Sequence, residues 1–149
     1  MARIGLLAAV AAALLPAAAI NAQQLSENDI FALCCLGTFR VVGAASAESY
    51  LTACPTGNEQ HCDWMRKANK SNEDGLSRVK KYLAARGNLS GGQPRLISQI
   101  EVAVRSGEDD VRRCLDWRMS NIEAFLAHRD QPQFCKQTDK CGDLSRLPM

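Results

Sequence analysis

The feature that most constrains this chain is an apolar stretch at residues 30–45, IFALCCLGTFRVVGAA. At helical spacing its apolar side chains point in almost every direction, and only Thr38 and Arg40 interrupt them. A helix that is apolar on all sides must be covered by other elements. With 16 residues and an internal arginine, the stretch is shorter than the roughly 20 apolar residues that span a bilayer. We therefore expect protein, and not lipid, to cover this helix.

The first 22 residues have the layout of a secretory signal peptide. Arg3 supplies positive charge, an Ala/Leu-rich run occupies residues 4–15, and Pro16 precedes small residues that end at Ala22. This order is typical of a leader that is cleaved on export, and its alanine content is typical of bacteria, so we expect a periplasmic or secreted protein. Cleavage after Ala22 is the preferred site and cleavage after Ala19 the second choice. Cleavage after Ala22 leaves about 127 of the 149 residues, which is enough for one domain with a hydrophobic core, and we expect no membrane span in it.

The mature chain is close to neutral and rich in cysteine. Without Arg3 it has 17 basic and 16 acidic side chains, a balance that gives no long-range field to attract nucleic acid or an anionic membrane. Its seven cysteines are Cys34, Cys35, Cys54, Cys62, Cys114, Cys135 and Cys141. After export most of them should form disulfides. One is left over, either as a free thiol or as a bridge to a second chain in a dimer.

Three serine–aspartate pairs mark predicted helix starts. The pairs are Ser26/Asp29, Ser71/Asp74 and Ser106/Asp109. Serine at an N-cap and acid in the first turn both suit a helix N-terminus. The predicted helices cover residues 27–45, 47–54, 59–70, 73–86, 94–105 and 108–129. Since no window shows strand alternation, we predict an all-α fold of five or six helices around an apolar first helix at about residues 27–45.

The last predicted helix has apolar residues at helical spacing, which predict a buried stripe. The stripe consists of Val111, Leu115, Met119, Ile122 and Leu126. Gly107 precedes this helix almost directly, so the helix and the one before it should form a tight antiparallel pair. The helical domain is then residues 23–130, and residues 131–149 form a polar tail pinned by Cys135 and Cys141.

The spacing of the cysteines favours one set of disulfides without excluding others. Cys34 and Cys35 point about 100° apart on a helix, so they should reach different partners. If the chain turns back near Ser46, Cys54 returns to the level of Cys34 or Cys35 and can bond to one of them. The remaining pairs on this interpretation are Cys135–Cys141 and Cys62–Cys114.

The chain contains no recognisable catalytic set. It has no C-x-x-C redox motif and no C-x-x-C-H haem site. The acidic run at residues 108–110 is explained by the helix dipole. His61 and Cys62, with the vicinal cysteines, are candidate ligands for a soft metal, which keeps a thiol or metal-binding protein as an alternative. We predict no catalytic residue, no metal site and no cofactor, and hence a protein that is not an enzyme.

Arginine and tryptophan side chains form two candidate partner-binding faces. They are Trp64 and Arg66 on one predicted helix, and Arg112, Arg113, Trp117 and Arg118 on another. Both residue types are enriched at the energetically important positions of protein interfaces. The competing interpretation places Trp117 in the core and the arginines on a solvated edge.

Several motifs occur in a suggestive order along about 80 residues. They are FALCCLGTFRVVGAAS in the first helix, a Cys54-Pro55 turn, GLSRVKKYLAARG, and an apolar helix leading to Cys114. This order of motifs resembles that of the periplasmic immunity proteins of type VI secretion. Residues 35–37 of this chain match the CLG of that family's central helix, and residues 79–83 match its V-x-x-YL helix. The family's closing aromatic-Pro-Cys is absent here, and Cys62 and the chain beyond Cys114 are additional.

The resemblance implies a small disulfide-bonded helical protein that inhibits a peptidoglycan amidase by binding it. We therefore predict an exported, non-enzymatic protein-binding protein, either an immunity protein or another inhibitor of a cell-wall hydrolase. Two alternatives are a periplasmic thiol or metal-binding protein and an envelope structural protein that self-associates.

Overall fold

The computed structural model describes residues 24–54, 59–87 and 94–148, and the predicted leader lies outside these ranges. Within them the chain forms five α-helices and a short 3-10 helix, with no strand. The helices are α1 Glu27–Ala53, α2 Glu59–Ala85, α3 Pro94–Ser120, α4 Ile122–Leu126 and α5 Gln133–Asp139, and the 3-10 helix is Lys140–Gly142. The predicted all-α fold class is confirmed.

The apolar helix α1 is the central element of the fold. It packs extensively against both α2 and α3, while α2 and α3 have no extensive contact with each other. The hydrophobic core consists of Ala32, Cys35, Val79, Tyr82, Cys141, Leu144 and Leu147. The C-terminal segment is therefore packed into the domain, because two of its leucines and a cysteine complete the core.

Two predicted helix ends are confirmed. At the start of α1, the backbone N–H of Asp29 donates to Oγ of Ser26 at 3.1 Å, and the backbone N–H of Ser26 donates to Oδ2 of Asp29 at 2.9 Å. This is a reciprocal capping box. After α2, Gly87 has a φ of 64°, the left-handed conformation that commonly follows a helix.

The predicted helix starts at Glu59 and Pro94 also match, because these are the first residues of α2 and α3. The boundaries predicted inside the long helices were wrong, because α1, α2 and α3 are each continuous helices of 27 residues. Ser46, the site of the predicted turn, lies inside α1, so there is no separate helix at residues 47–54. Ser71 and Ser106 lie in the interiors of α2 and α3. Both are exposed, and an exposed serine costs a helix interior only about 0.5 kcal/mol relative to alanine. A serine followed three residues later by aspartate therefore does not always mark a helix start.

The crossing of α1 and α3 requires two glycines. A Cβ atom on Gly37 would collide with the carbonyl oxygen of Val104, and a Cβ on Gly107 would collide with that of Cys34. The two backbones are therefore in direct contact. Gly107 does not end a helix, as the predicted antiparallel pair required, but allows close packing within one.

The three disulfides differ from the predicted pairs. They are Cys35–Cys141, Cys54–Cys62 and Cys114–Cys135, and Cys34 is a free thiol. Because α1 does not turn at Ser46, Cys54 lies about 28 Å along the helix axis from Cys35. It instead meets the first turn of α2. The C-terminal segment returns to α3 and then to α1, so its two cysteines bond to those helices and not to each other.

Helix α1 also includes a segment, Glu27–Glu48, that is long and apolar enough to cross a membrane by length and composition. The apolar stretch recognised in the sequence has only 16 residues, whereas α1 extends beyond both of its ends. A core helix of a soluble protein passes the same test. In this structure α1 packs against α2 and α3, and it contains a completely buried aspartate, Asp29.

Candidate functional site

The C-terminal part of α3 and the short α4 expose four large apolar side chains. The exposed fractions are 37% for Leu115, 78% for Met119, 57% for Ile122 and 70% for Leu126. Of the predicted buried stripe only Val111 is buried, so that prediction was wrong for the other four. The buried side of α3 passes through Gly107, Val111 and Cys114. At about 100° per residue, Leu115 and Met119 turn away from that side.

These four residues, which we call the α3–α4 apolar surface, lie on two helices joined by one residue. Leu115 and Met119 are four residues apart on α3, and Ile122 and Leu126 are four apart on α4, so each pair shares a helix face. Asn121 is the junction. Its Nδ2 donates to the carbonyl oxygen of Trp117 at 2.9 Å, and its own carbonyl accepts from the backbone N–H of Phe125 at 2.9 Å. The junction is therefore hydrogen-bonded to both helices.

Helix α5 braces the end of α3. The Cys114–Cys135 disulfide joins the two helices covalently. One turn later, Nη2 of Arg118 lies 2.9 Å from Oδ1 of Asp139, and its guanidinium carbon lies 4.9 Å from the centre of the Phe125 ring. The same arginine thus contacts α5 and α4. The α3–α4 apolar surface is held in place by a covalent bond, an ion pair and a cation–π contact.

The arginines predicted to bind a partner already have partners in the chain. Arg112 pairs with Glu108 at 3.6 Å and with Asp109 at 3.5 Å. Arg113 pairs with Asp110 at 3.4 Å and stacks on Phe134 at 4.2 Å. These contacts, like those of Arg118, are intramolecular. They also account for the acidic run at residues 108–110. The helix-dipole interpretation was wrong, because the run lies in the interior of α3 and each of its carboxylates pairs with an arginine one turn later.

The structure does not bring the six predicted binding residues together. Trp64 and Arg66 lie on α2, and the others lie on α3. Trp64 is exposed and Arg66 pairs with Asp63 on the same helix. Trp117 is half-buried near the α3–α4 junction. The partner-binding surface suggested by the structure is therefore next to Trp117 but is made by aliphatic side chains that the sequence pattern assigned to the core.

Two acidic side chains at the edge of this surface were also missed. Asp116 follows Leu115 on α3, and Glu123 follows Ile122 on α4, so each lies about 100° around its helix from an apolar neighbour. Both are exposed. Within the described residues neither carboxylate has a hydrogen bond or an ion pair. Two carboxylates without an ion pair in the described residues therefore flank the apolar side chains.

The free thiol of Cys34 is not arranged as a nucleophile. Its Sγ lies 3.5 Å from the carbonyl oxygen of Ala103, to which it donates. Burial, and secondarily the charge of Asp110, raises the pKa of this thiol. A thiol with a raised pKa is protonated at neutral pH and is a poor nucleophile and metal ligand.

The described residues include no group of three or more His, Cys, Asp or Glu side chains placed to hold a metal. The side chain of His61, one of the candidate soft-metal ligands, lies outside the part of the chain that is described. Its partner Cys62 is bonded to Cys54. The disulfide therefore occupies the sulfur that the metal hypothesis required.

Comparisons with known proteins returned no relatives. No family model, no curated protein and no solved structure matches the chain. The resemblance to immunity proteins thus stays a prediction. The α3–α4 apolar surface and the disulfide-bonded scaffold that holds it are the features from which a function can be proposed.

Proposed function

We propose that this is an exported, non-enzymatic protein that binds another protein through the α3–α4 apolar surface. The observation that carries the proposal is the exposure of four large apolar side chains on two braced helices. The two pairs follow each other closely in the sequence, with Met119 three residues before Ile122, and apolar side chains exposed together on a soluble protein commonly mark an interaction site. Because the surface is held in place before a partner arrives, less conformational entropy is lost on binding.

The edge of the surface defines the chemistry of the partner. Asp116 and Glu123 are exposed and unpaired within the described residues, so the complementary partner surface is apolar with basic groups at its margin. Complementary charges at an interface margin mainly increase the association rate and the specificity. Binding should therefore weaken moderately with added salt, since exposed charges are screened within about 10 Å at 0.1 M.

Two features support action outside the reducing cytosol. Three disulfides in a chain of this size are typical of exported proteins. The apolar leader at residues 1–22 has the layout of a signal peptide. A periplasmic or secreted location is the one in which both features have a purpose.

Within this class we propose inhibition of a cell-wall hydrolase. The support is the resemblance to periplasmic immunity proteins. The matching residues 35–37 and 79–83 include buried core positions such as Cys35, Val79 and Tyr82. The resemblance therefore concerns the scaffold, whereas the binding surface lies in the part of the chain that follows Cys114.

The test is an affinity capture from envelope and secreted fractions, with the oxidised chain from Gln23 as bait. Three baits are compared: wild type, Met119→Asp and Leu51→Asp. Leu51 is as exposed as Met119 but lies near the end of α1, so it controls for the loss of an exposed apolar side chain. A reduced and alkylated bait tests whether the folded scaffold is needed.

The proposal predicts a protein retained by wild type and Leu51→Asp but lost with Met119→Asp and with the reduced bait. A captured peptidoglycan hydrolase should lose activity when the purified chain is added. Capture that is equal for all folded baits would contradict the assigned surface. Turnover of peptidoglycan by the chain alone would contradict the non-enzymatic function, and stable self-association without a partner would favour an envelope structural protein.

A further inference from the structure

A cavity with charged side chains in its lining lies between α2 and the segment that follows α5, and it shares no residue with the α3–α4 apolar surface. Its volume is about 610 Å³, within the range of small-molecule sites. The polar side chains on its α2 wall are Ser71, Asp74, Ser77, Arg78 and Lys81. Asp143 and Ser145 line the opposite wall. The site is thus built from two segments about 60 residues apart in the sequence.

The walls of this cavity are fixed to the core. The Cys35–Cys141 disulfide joins the C-terminal wall to α1, with the two Cα atoms 5.4 Å apart. Phe39 of α1 packs against α2 so closely that a Cβ atom on Gly75 would lie 2.6 Å from its ring. Leu144, in the C-terminal wall, is buried in the core. A ligand therefore meets a preformed site.

Two cations line the cavity, and one of them, Arg78, interacts with Asp143 through its charge alone. Arg78 and Lys81 are three residues apart on α2, so their side chains are neighbours on the helix surface. Within the described residues neither makes a hydrogen bond or an ion pair. Nε of Arg78 is out of contact with solvent and has no acceptor. Buried polar groups are nearly always hydrogen-bonded, and an exception calls for an explanation.

Two carboxylates line the same cavity and retain unused acceptor capacity. Asp143 accepts the backbone N–H of Ser145 at 2.9 Å. The hydrogen bonds from Ser145, assisted by the charge of Arg78, lower the pKa of Asp143, so it is ionised at neutral pH. Asp74 also pairs with Lys70 at 3.2 Å, and both side chains of this pair are exposed. A carboxylate has about four lone-pair positions, so both groups can accept further donors.

We propose that this cavity binds a small zwitterion, namely an amino acid or a short peptide with a free ammonium group and a free carboxylate. Arg78, with Lys81 beside it, binds the carboxylate. Asp143 and Asp74 bind the ammonium group. A simple anion would be repelled by the two carboxylates and a simple cation by the two basic groups, whereas a ligand with both charges satisfies both. The serine hydroxyls supply further hydrogen bonds.

The test is a two-dimensional NMR titration of the disulfide-intact chain with L-alanyl-L-alanine. The comparison ligands are the N-acetylated dipeptide, the dipeptide amide and inorganic phosphate. The proposal predicts saturable shifts at cavity residues with the free dipeptide. Blocking either end should weaken binding about tenfold or more, since each blocked end loses hydrogen bonds to a charged group. This comparison needs no substitution in the protein.

Variants then assign the contacts. Arg78→Gln and Asp143→Asn should each weaken dipeptide binding about tenfold or more, and Lys80→Gln, an exposed neighbour that does not line the cavity, should leave it unchanged. Thermal unfolding by circular dichroism checks that each variant is folded. Saturable binding of phosphate that tightens in Asp143→Asn would overturn the proposal in favour of an anion site. The absence of saturable shifts with the folded wild type would overturn it outright. Because the cavity shares no residue with the α3–α4 apolar surface, neither result bears on the proposed protein partner.

Discussion

Asp29 is a buried charge that joins the start of α1 to the end of α2. Its side chain is 0% exposed. Its oxygens accept the hydroxyl of Tyr82 at 2.8 Å, and Nε and Nη2 of Arg86 at 2.8 and 2.9 Å. Burial raises the pKa of Asp29, but the hydrogen bonds from Arg86, Ser26 and Tyr82 together outweigh it. They lower the pKa from 3.8 to about 2.

The lowered pKa has a definite consequence for stability. One pKa unit corresponds to about 1.4 kcal/mol, so lowering the pKa of Asp29 from 3.8 to about 2 stabilises the fold by about 2 to 3 kcal/mol. Because the folded pKa lies below the unfolded one, this contribution is fully present well above pH 3.8. It is lost as the pH falls towards 2. Asp29→Asn cannot ionise and lacks the contribution at every pH.

The measurement is urea denaturation of wild type and Asp29→Asn at a series of pH values. At neutral pH the wild type should be more stable by about 2 to 3 kcal/mol, and this difference should shrink as the pH approaches 2. Asp74→Asn is the control, because Asp74 forms only an exposed pair with Lys70, worth less than about 1 kcal/mol. A difference between wild type and Asp29→Asn that does not change with pH would refute the reasoning, because it would arise from packing and not from charge.

The contacts of α3 allow three further tests. Gly107→Ala should lower the free energy of unfolding, measured by urea denaturation, by about 3 kcal/mol, because its Cβ would collide with the Cys34 carbonyl. Gly142→Ala is the control. A Cβ at Gly142 would have nothing within 4 Å, so this change should alter the free energy of unfolding by less than about 0.5 kcal/mol. Serine at both Cys114 and Cys135 should cost about 3 kcal/mol for a bond that spans 21 residues, and should speed amide hydrogen exchange in α5. The Cys34 thiol should react with a thiol reagent at neutral pH more slowly than in the urea-unfolded chain, because burial raises its pKa; equal rates would contradict this.

The features predictable from the sequence are those that depend on local composition. The stretch at residues 30–45 is apolar on all sides, so a central position could be predicted for it without knowing which elements cover it. The Ser26 cap was predictable because its partner, Asp29, is three residues away. The wider role of Asp29 was not, because Tyr82 and Arg86 are more than 50 residues away in the sequence.

The features that escaped prediction depend on what covers a residue in three dimensions. Helical periodicity places Met119 and Leu126 on an apolar face, but it does not say whether another element packs there. Glycine commonly follows the end of a helix, so the sequence predicted that role for Gly107. In the structure a glycine is needed there because the backbone of α1 passes too close to leave room for a Cβ atom. The cysteine pairing followed from the path of α1, and one incorrect turn at Ser46 changed the partner assigned to Cys54.

The serines at positions 26, 71 and 106 distinguish the helix boundaries of the structure from those of the sequence pattern. Oγ of Ser26 accepts the Asp29 N–H at 3.1 Å, so Ser26→Ala should cost about 1 kcal/mol. Ser71 and Ser106 lie exposed in helix interiors, where alanine has the higher helix propensity. Ser71→Ala and Ser106→Ala should therefore be neutral or stabilise by up to about 0.5 kcal/mol. An N-cap serine would instead make the alanine variant less stable. Urea denaturation therefore separates the two cases. A loss of about 1 kcal/mol in the free energy of unfolding at both positions would mean that α2 and α3 are each two helices.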